Sequence, residues 1–147
     1  MAWSTVSVAD FIAEGFNASE RAAVQAAAGG DDGLSAILTA AIGEWRGAIA
    51  AAGGAVDTDT TTVPPQVRRH LIASARWALL IKFPALKAMQ TDARKEAAER
   101  AEEVLEQIAK GDLPVEPPDD TDSLAGGSSG GQTRIAMRSD DQESYDP

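Results

Sequence analysis

The chain offers one imidazole and no thiol: His70 is its single histidine, and cysteine is absent. Disulfides, thiolate metal sites and cysteine nucleophiles are therefore excluded together. His70 follows Arg68 and Arg69, with no second histidine to complete a metal site and no spacing that pairs it with a carboxylate as an acid/base couple. It reads as a structural or surface histidine. Asp31-Asp32-Gly33 and Asp57-x-Asp59 open like calcium loops, yet neither runs on to the ligand pattern and its terminal glutamate. The glycine pairs Gly29-Gly30 and Gly53-Gly54 make neither a dinucleotide-binding fingerprint nor a phosphate loop with its lysine. The expectation is a protein that is not an enzyme and holds no metal or cofactor. Arg68, Arg69 and Arg76, beside Trp77, are candidates for touching a phosphate or carboxylate of a partner, set against the simpler reading of a solvated helix face.

Those side chains sit in 147 residues, enough for one domain with a short appendage. Asp and Glu number 23 against 13 Lys and Arg, a formal charge of -10, so the bulk charge repels a phosphate backbone. The N-terminus lacks a basic segment, and no apolar run approaches the roughly 18 residues of a spanning helix, so neither a leader nor a membrane span is expected.

The positioning elements are helical. Ser7 with Asp10 three residues on opens a short helix in which Val8, Phe11 and Ile12 share a face, and Gly15 ends it. Asn17 with Glu20 repeats the signal before Ala18 to Ala28, which Gly29-Gly30 stops. Leu34, Ile37, Leu38, Ala41, Ile42, Trp45 and Ile49 follow steps of three and four, predicting a helix from about Leu34 to Ala52. Asp57 to Thr62 is polar and β-branched and reads as an exposed loop. Pro64-Pro65 restarts the chain into a central helix from Gln66 to about Phe83, whose stripe of Val67, Leu71, Ser74, Ala78 and Ile81 is widened by Ile72, Trp77, Leu79 and Leu80. Pro84 interrupts it. Thr91 caps a last helix with Ala97, Ala101, Val104, Leu105 and Ile108 inward and Arg94, Lys95, Glu99, Glu102, Glu103 and Glu106 outward, closed by Lys110-Gly111. The predicted fold is all-α: a compact bundle of four to five helices over residues 1–118, followed by an extended C-terminal arm.

Residues 119–147 read as a flexible acidic, Gly/Ser-rich linker and arm, with seven acids and two arginines. Thr133, Ile135 and Met137 alternate between Arg134 and Arg138, a pattern suited to strand addition or docking with the arginines on an acidic surface. Tyr145 stands alone near the end. Arg134, Ile135, Met137, Arg138 and Tyr145 are the candidate partner-binding residues.

Three stretches carry a resemblance: Ala41–Gly54 (AIGEWRGAIAAAGG), Val63–Leu80 (VPPQVRRHLIASARWALL) and Glu102–Val115 (EEVLEQIAKGDLPV). In order and pattern, over roughly residues 7 to 118, the chain resembles the small helical head-tail connector (adaptor) proteins of tailed bacteriophages, the group related to the Mu-like head-tail joining protein. It departs from them at Asp57 to Thr62, where that group often carries an aromatic and proline-bearing turn. The resemblance implies a virion protein assembled in the host cytoplasm, a homo-oligomeric ring, twelve-fold, docked below the portal protein of the capsid. Such a ring completes the packaged head and offers the platform for a stopper or tail-terminator protein, and DNA passes through its channel without specific binding. On this reading residues 132–147 clamp the portal or a neighbouring subunit. The alternative from the same residues is a small acidic helical interaction or regulatory module of phage or host cytosol, which would be a monomer or dimer.

Overall fold

In the computed structural model, which describes residues 2–118, the order is strand β1 (Ser4–Thr5), helices α1 (Val8–Gly15), α2 (Ala18–Ala28) and α3 (Asp31–Ala51), strand β2 (Thr62–Val63), helix α4 (Pro65–Lys82), a 3-10 helix (Pro84–Met89) and helix α5 (Asp92–Ala109). The fold is an all-α compact bundle. The two strands are a minimal antiparallel pair, Ser4 opposite Val63 and Thr5 opposite Thr62.

Local chemistry sets the helix ends. The Ser7 hydroxyl accepts from the Asp10 N–H while the Asp10 carboxylate accepts from the Ser7 N–H, both at 3.1 Å. Asn17 and Glu20 exchange the same two bonds at 3.1 Å, so two donors at each N-terminus that no helical carbonyl can serve are satisfied. Gly29 (φ 76°) and Gly30 (φ 96°) turn α2 into α3 through the left-handed region that other residues avoid. The elbow is tight: a Cβ on Gly33 would lie 2.0 Å from the Ala28 carbonyl oxygen. Helix α3 starts at Asp31, ahead of the first apolar residue of its stripe, because Asp31 and Asp32 place negative charge where the first turn exposes N–H groups.

Helices α3, α4 and α5 pack on one another in turn, and α1 and α2 lie across α3, α4 and the 3-10 helix. Leu34, Trp45, Val67, Leu71, Leu79, Leu80 and Ile108 are fully buried between them, with Phe11 and Val24 coming in from α1 and α2. Phe11 and Phe16 meet edge to face at 5.9 Å.

Four expectations are corrected. Ala78 and Ile81 continue the α4 stripe but are exposed, Ile81 at 58%; the residues facing that end of the stripe, Ala40, Ala41 and Ala98, are too short to cover it. On α5 only Ala101 and Ile108 are buried, while Ala97, Val104 and Leu105 are half-buried, as suits a helix on the outside of the bundle. Arg94 turns inward. Its guanidinium donates to the Met89 carbonyl (3.0 Å), pairs with Glu20 (2.7 Å) and lies over the Phe16 ring. The loop before α4 is exposed from Thr58 to Thr61, but Thr62 is buried, because it belongs to β2 and because Arg46 donates to both its carbonyl (2.7 Å) and its hydroxyl (3.3 Å).

Beyond α5 the chain folds back. The Trp3 indole N–H donates to the Glu116 carbonyl and the Glu116 N–H donates to the Gln66 side-chain oxygen, each at 3.0 Å. Val115 packs against the core.

Truncation separates the two halves of the α4 stripe. Leu71→Ala is expected to cost about 2–5 kcal/mol, and Ile81→Ala clearly less, because Ile81 lies at the surface of the bundle. Urea unfolding followed by far-UV circular dichroism measures both; equal losses would mean that Ile81 is packed as deeply as Leu71.

Candidate interaction surface

The single imidazole is committed to packing. His70, half-buried on α4, stacks on Trp45 of α3 with ring centroids 6.4 Å apart and planes 15° from parallel. The Trp45 indole N–H donates to the Ser74 hydroxyl (3.3 Å), which donates in turn to the Leu71 carbonyl (3.0 Å). Burial pushes the His70 imidazole below its ordinary range, and Arg69 and Arg100 push it the same way.

The acidic pairs are likewise structural. Asp31 and Asp32 occupy the first turn of α3. Asp57 accepts from the Thr62 hydroxyl (3.0 Å), and Asp59 accepts from the Thr61 N–H (3.0 Å) and hydroxyl (2.7 Å), bonds that hold the Asp59 carboxyl below the usual carboxylate range. Among the described residues no group of three or more His, Asp or Glu is placed to hold a metal ion.

The three α4 arginines part company. Arg68 forks onto Glu14 (3.2 and 2.6 Å), reaches Asp10 at 3.5 Å and donates to the Thr5 carbonyl (3.2 Å), so it ties α4 to α1 and β1. Its hydrogen bonds to Glu14 raise its pKa against the opposing effect of burial. Arg76 donates from one terminal nitrogen to the Gly15 carbonyl (3.1 Å), and its Nε is buried with no hydrogen-bond partner. Burial lowers its pKa, and Arg94 adds to the effect. Only Arg69 is exposed. With Arg21, Arg46 and Arg94, five half-buried arginines bond backbone carbonyl oxygens.

What remains outside is acidic and, along one face, apolar. Glu44 and Ala48 of α3 and Glu99, Glu102, Glu103 and Glu106 of α5 border an open groove of about 810 Å³. It continues into a second hollow of about 450 Å³, sharing Glu44, Glu99, Glu102 and Leu105, whose floor includes Trp77, Ala78 and Ile81. Among the described residues that line the two hollows, Lys95 is the one base. Sequence periodicity assigned Trp77, Ala78, Ile81 and Leu105 to the core and so missed the groove; the usable signal was the run of alanines that faces them. The other candidates, Arg134, Ile135, Met137, Arg138 and Tyr145, lie outside the described residues.

The depressed His70 pKa makes stability depend on pH. Below the ordinary histidine value of about 6.5 the unfolded chain takes up a proton that the folded chain refuses, so stability falls as pH drops through that range. The depressed carboxylates Asp10, Glu20 and Asp59 act in a lower window, below their ordinary values of 3.8 and 4.5. Urea midpoints at about pH 7.5 and about pH 5.5 should diverge for the parent and converge for His70→Gln. An equal slope in both would place the proton elsewhere.

No family model matches the chain, and neither a curated protein nor a solved structure matches it.

Proposed function

We propose that this chain is a structural assembly protein, a head-tail adaptor of a tailed bacteriophage. In this reading it forms a twelve-fold ring below the portal and presents a platform to a stopper or tail-terminator protein, without acting as an enzyme and without a cofactor. The observation that carries the reading is the groove across α3, α4 and α5: a bundle that buries Trp45 and Leu71 completely leaves Ile81 and Ala78 uncovered beside a row of glutamates. Exposed apolar surface rimmed by charge is what an assembly contact uses. A groove on one side of a subunit that receives a different face of the next is a head-to-tail contact, and such contacts close into a ring where the rotation between neighbours divides a full turn. The order of the long α3, the proline restart into α4 and the acidic α5 supports the same assignment through its resemblance to connector proteins.

Charge agrees with a DNA-passing ring. At -10 overall, and with Arg46, Arg68, Arg76 and Arg94 turned into the fold, the outer surface repels phosphate and gains nothing from counterion release. The second reading, an interaction module, draws on the same groove with a basic amphipathic helix of another protein as its occupant.

Stoichiometry separates the two. Light scattering of the purified chain, alone and mixed with the portal of the same phage, is expected to show a 15.3 kDa subunit joining portal as a stoichiometric ring. A stable monomer or dimer that ignores portal would overturn the adaptor reading and favour the module.

A further inference from the structure

The groove has a complementary segment within its own chain. Its floor is apolar (Trp77, Ala78, Ile81, Leu105) and its rim is acidic (Glu44, Glu99, Glu102, Glu106), so it calls for a short ligand with apolar side chains between positive charges. After Gly111 the sequence is acidic or neutral throughout, apart from Arg134 and Arg138, and these two bracket Ile135-Ala136-Met137. Extended backbone would turn Ile135 and Met137 to one side, with the long arginine side chains free to reach the rim.

The length of the intervening chain fits. The body ends in the strap held by Trp3 and Gln66, and Pro114 and Val115 of that strap lie beside Ile49 and Ile108, next to Ala48 and Ala109 at the near end of the groove. A Gly/Ser-rich sequence of the length of residues 119–132 would have an r.m.s. span of roughly 20 Å and, fully extended, a reach of about 47 Å. Helix α5, which runs the length of the groove, is about 27 Å long. A tether of that size holds its end at an effective concentration of order millimolar, so even weak docking is populated.

We propose that in the free chain residues Thr133–Arg138 occupy the groove between α3, α4 and α5 of the same molecule, Ile135 and Met137 on its apolar floor and Arg134 and Arg138 against its glutamates. This holds whichever assembly partner the groove finally takes, and its failure leaves the light-scattering comparison with portal unaffected.

Because the chain has no cysteine, Ser139→Cys gives a single spin-label position beside the segment in the full-length protein. Paramagnetic broadening is expected at Trp77, Ala78, Ile81 and Leu105, with exposed Thr58 as reference. It should persist when the nitrogen-15 chain itself carries the label, and vanish when a labelled nitrogen-14 chain is mixed with an unlabelled nitrogen-15 chain. Adding Arg134→Glu and Arg138→Glu to the labelled chain, or raising the salt to about 1 M, should abolish it. No broadening above Thr58 overturns the proposal. Broadening in the mixed sample would assign the groove to the arm of a second copy, and overturns it equally, as does broadening that survives the charge reversal.

Discussion

The packing of Trp45 against the first half of α4 holds the bundle together. Trp45 is the largest fully buried side chain, and it joins α3 to α4 in two ways, through the stacked His70 ring and through the hydrogen bond to Ser74. Among the other buried positions of these two helices are Ala48, Ala73 and Ala75, which bring backbones close but bury little area each. A chain built this way concentrates its cohesion where a large ring is available and thins it elsewhere. Where α4 passes beyond Ser74 no comparable side chain comes across from α3, and there the core opens into the groove.

A second constraint follows from composition. With 13 bases to 23 acids, the cations are scarce, and five arginines are half-buried on backbone carbonyls. Arg21 joins α2 to α1 at Ala13, Arg68 joins α4 to α1, Arg94 joins α5 to α2 through Glu20, Arg76 holds the end of α1 at Gly15, and Arg46 gathers the loop before β2. Each bridges separate parts of the fold. A guanidinium can do this because it donates several hydrogen bonds in one plane while its stem packs against apolar neighbours. The consequence is an exterior more acidic than the composition alone suggests.

Much of the architecture was legible in the sequence because it is set by local rules. Ser7–Asp10 and Asn17–Glu20 capping boxes, the Gly29-Gly30 turn, Pro65 at the start of α4 and Thr91 before α5 all act within one turn of helix, and each stands where its spacing placed it. What periodicity misplaced depends on distant residues. Whether Ile81 is covered is decided by the size of side chains on α3 and α5, and whether Arg94 faces solvent is decided by Glu20, far back in the chain. A helical stripe says which side of a helix could be buried, and only the neighbouring helices say how far along it burial extends. The candidate site suffered most from this limit: Arg68 and Arg76 were visible as residues but not as bonds to α1, and the groove was hidden inside a stripe assigned to the core.

The strap at Glu116 also sets how force enters the molecule. Its carbonyl is held by Trp3 and its N–H by Gln66, so the chain just before residue 118 is tied to the residue that leads into β1 and to the first turn of α4. Tension on the chain beyond that point is carried across the base of the bundle to the paired strands and to the Pro65 end of the central helix. Helix α5, although adjacent in sequence, is spared the pull that would peel it from its neighbours. The last described residues thus act as an anchor: a pull applied at residue 118 is met at the strap before it reaches the helix that precedes it.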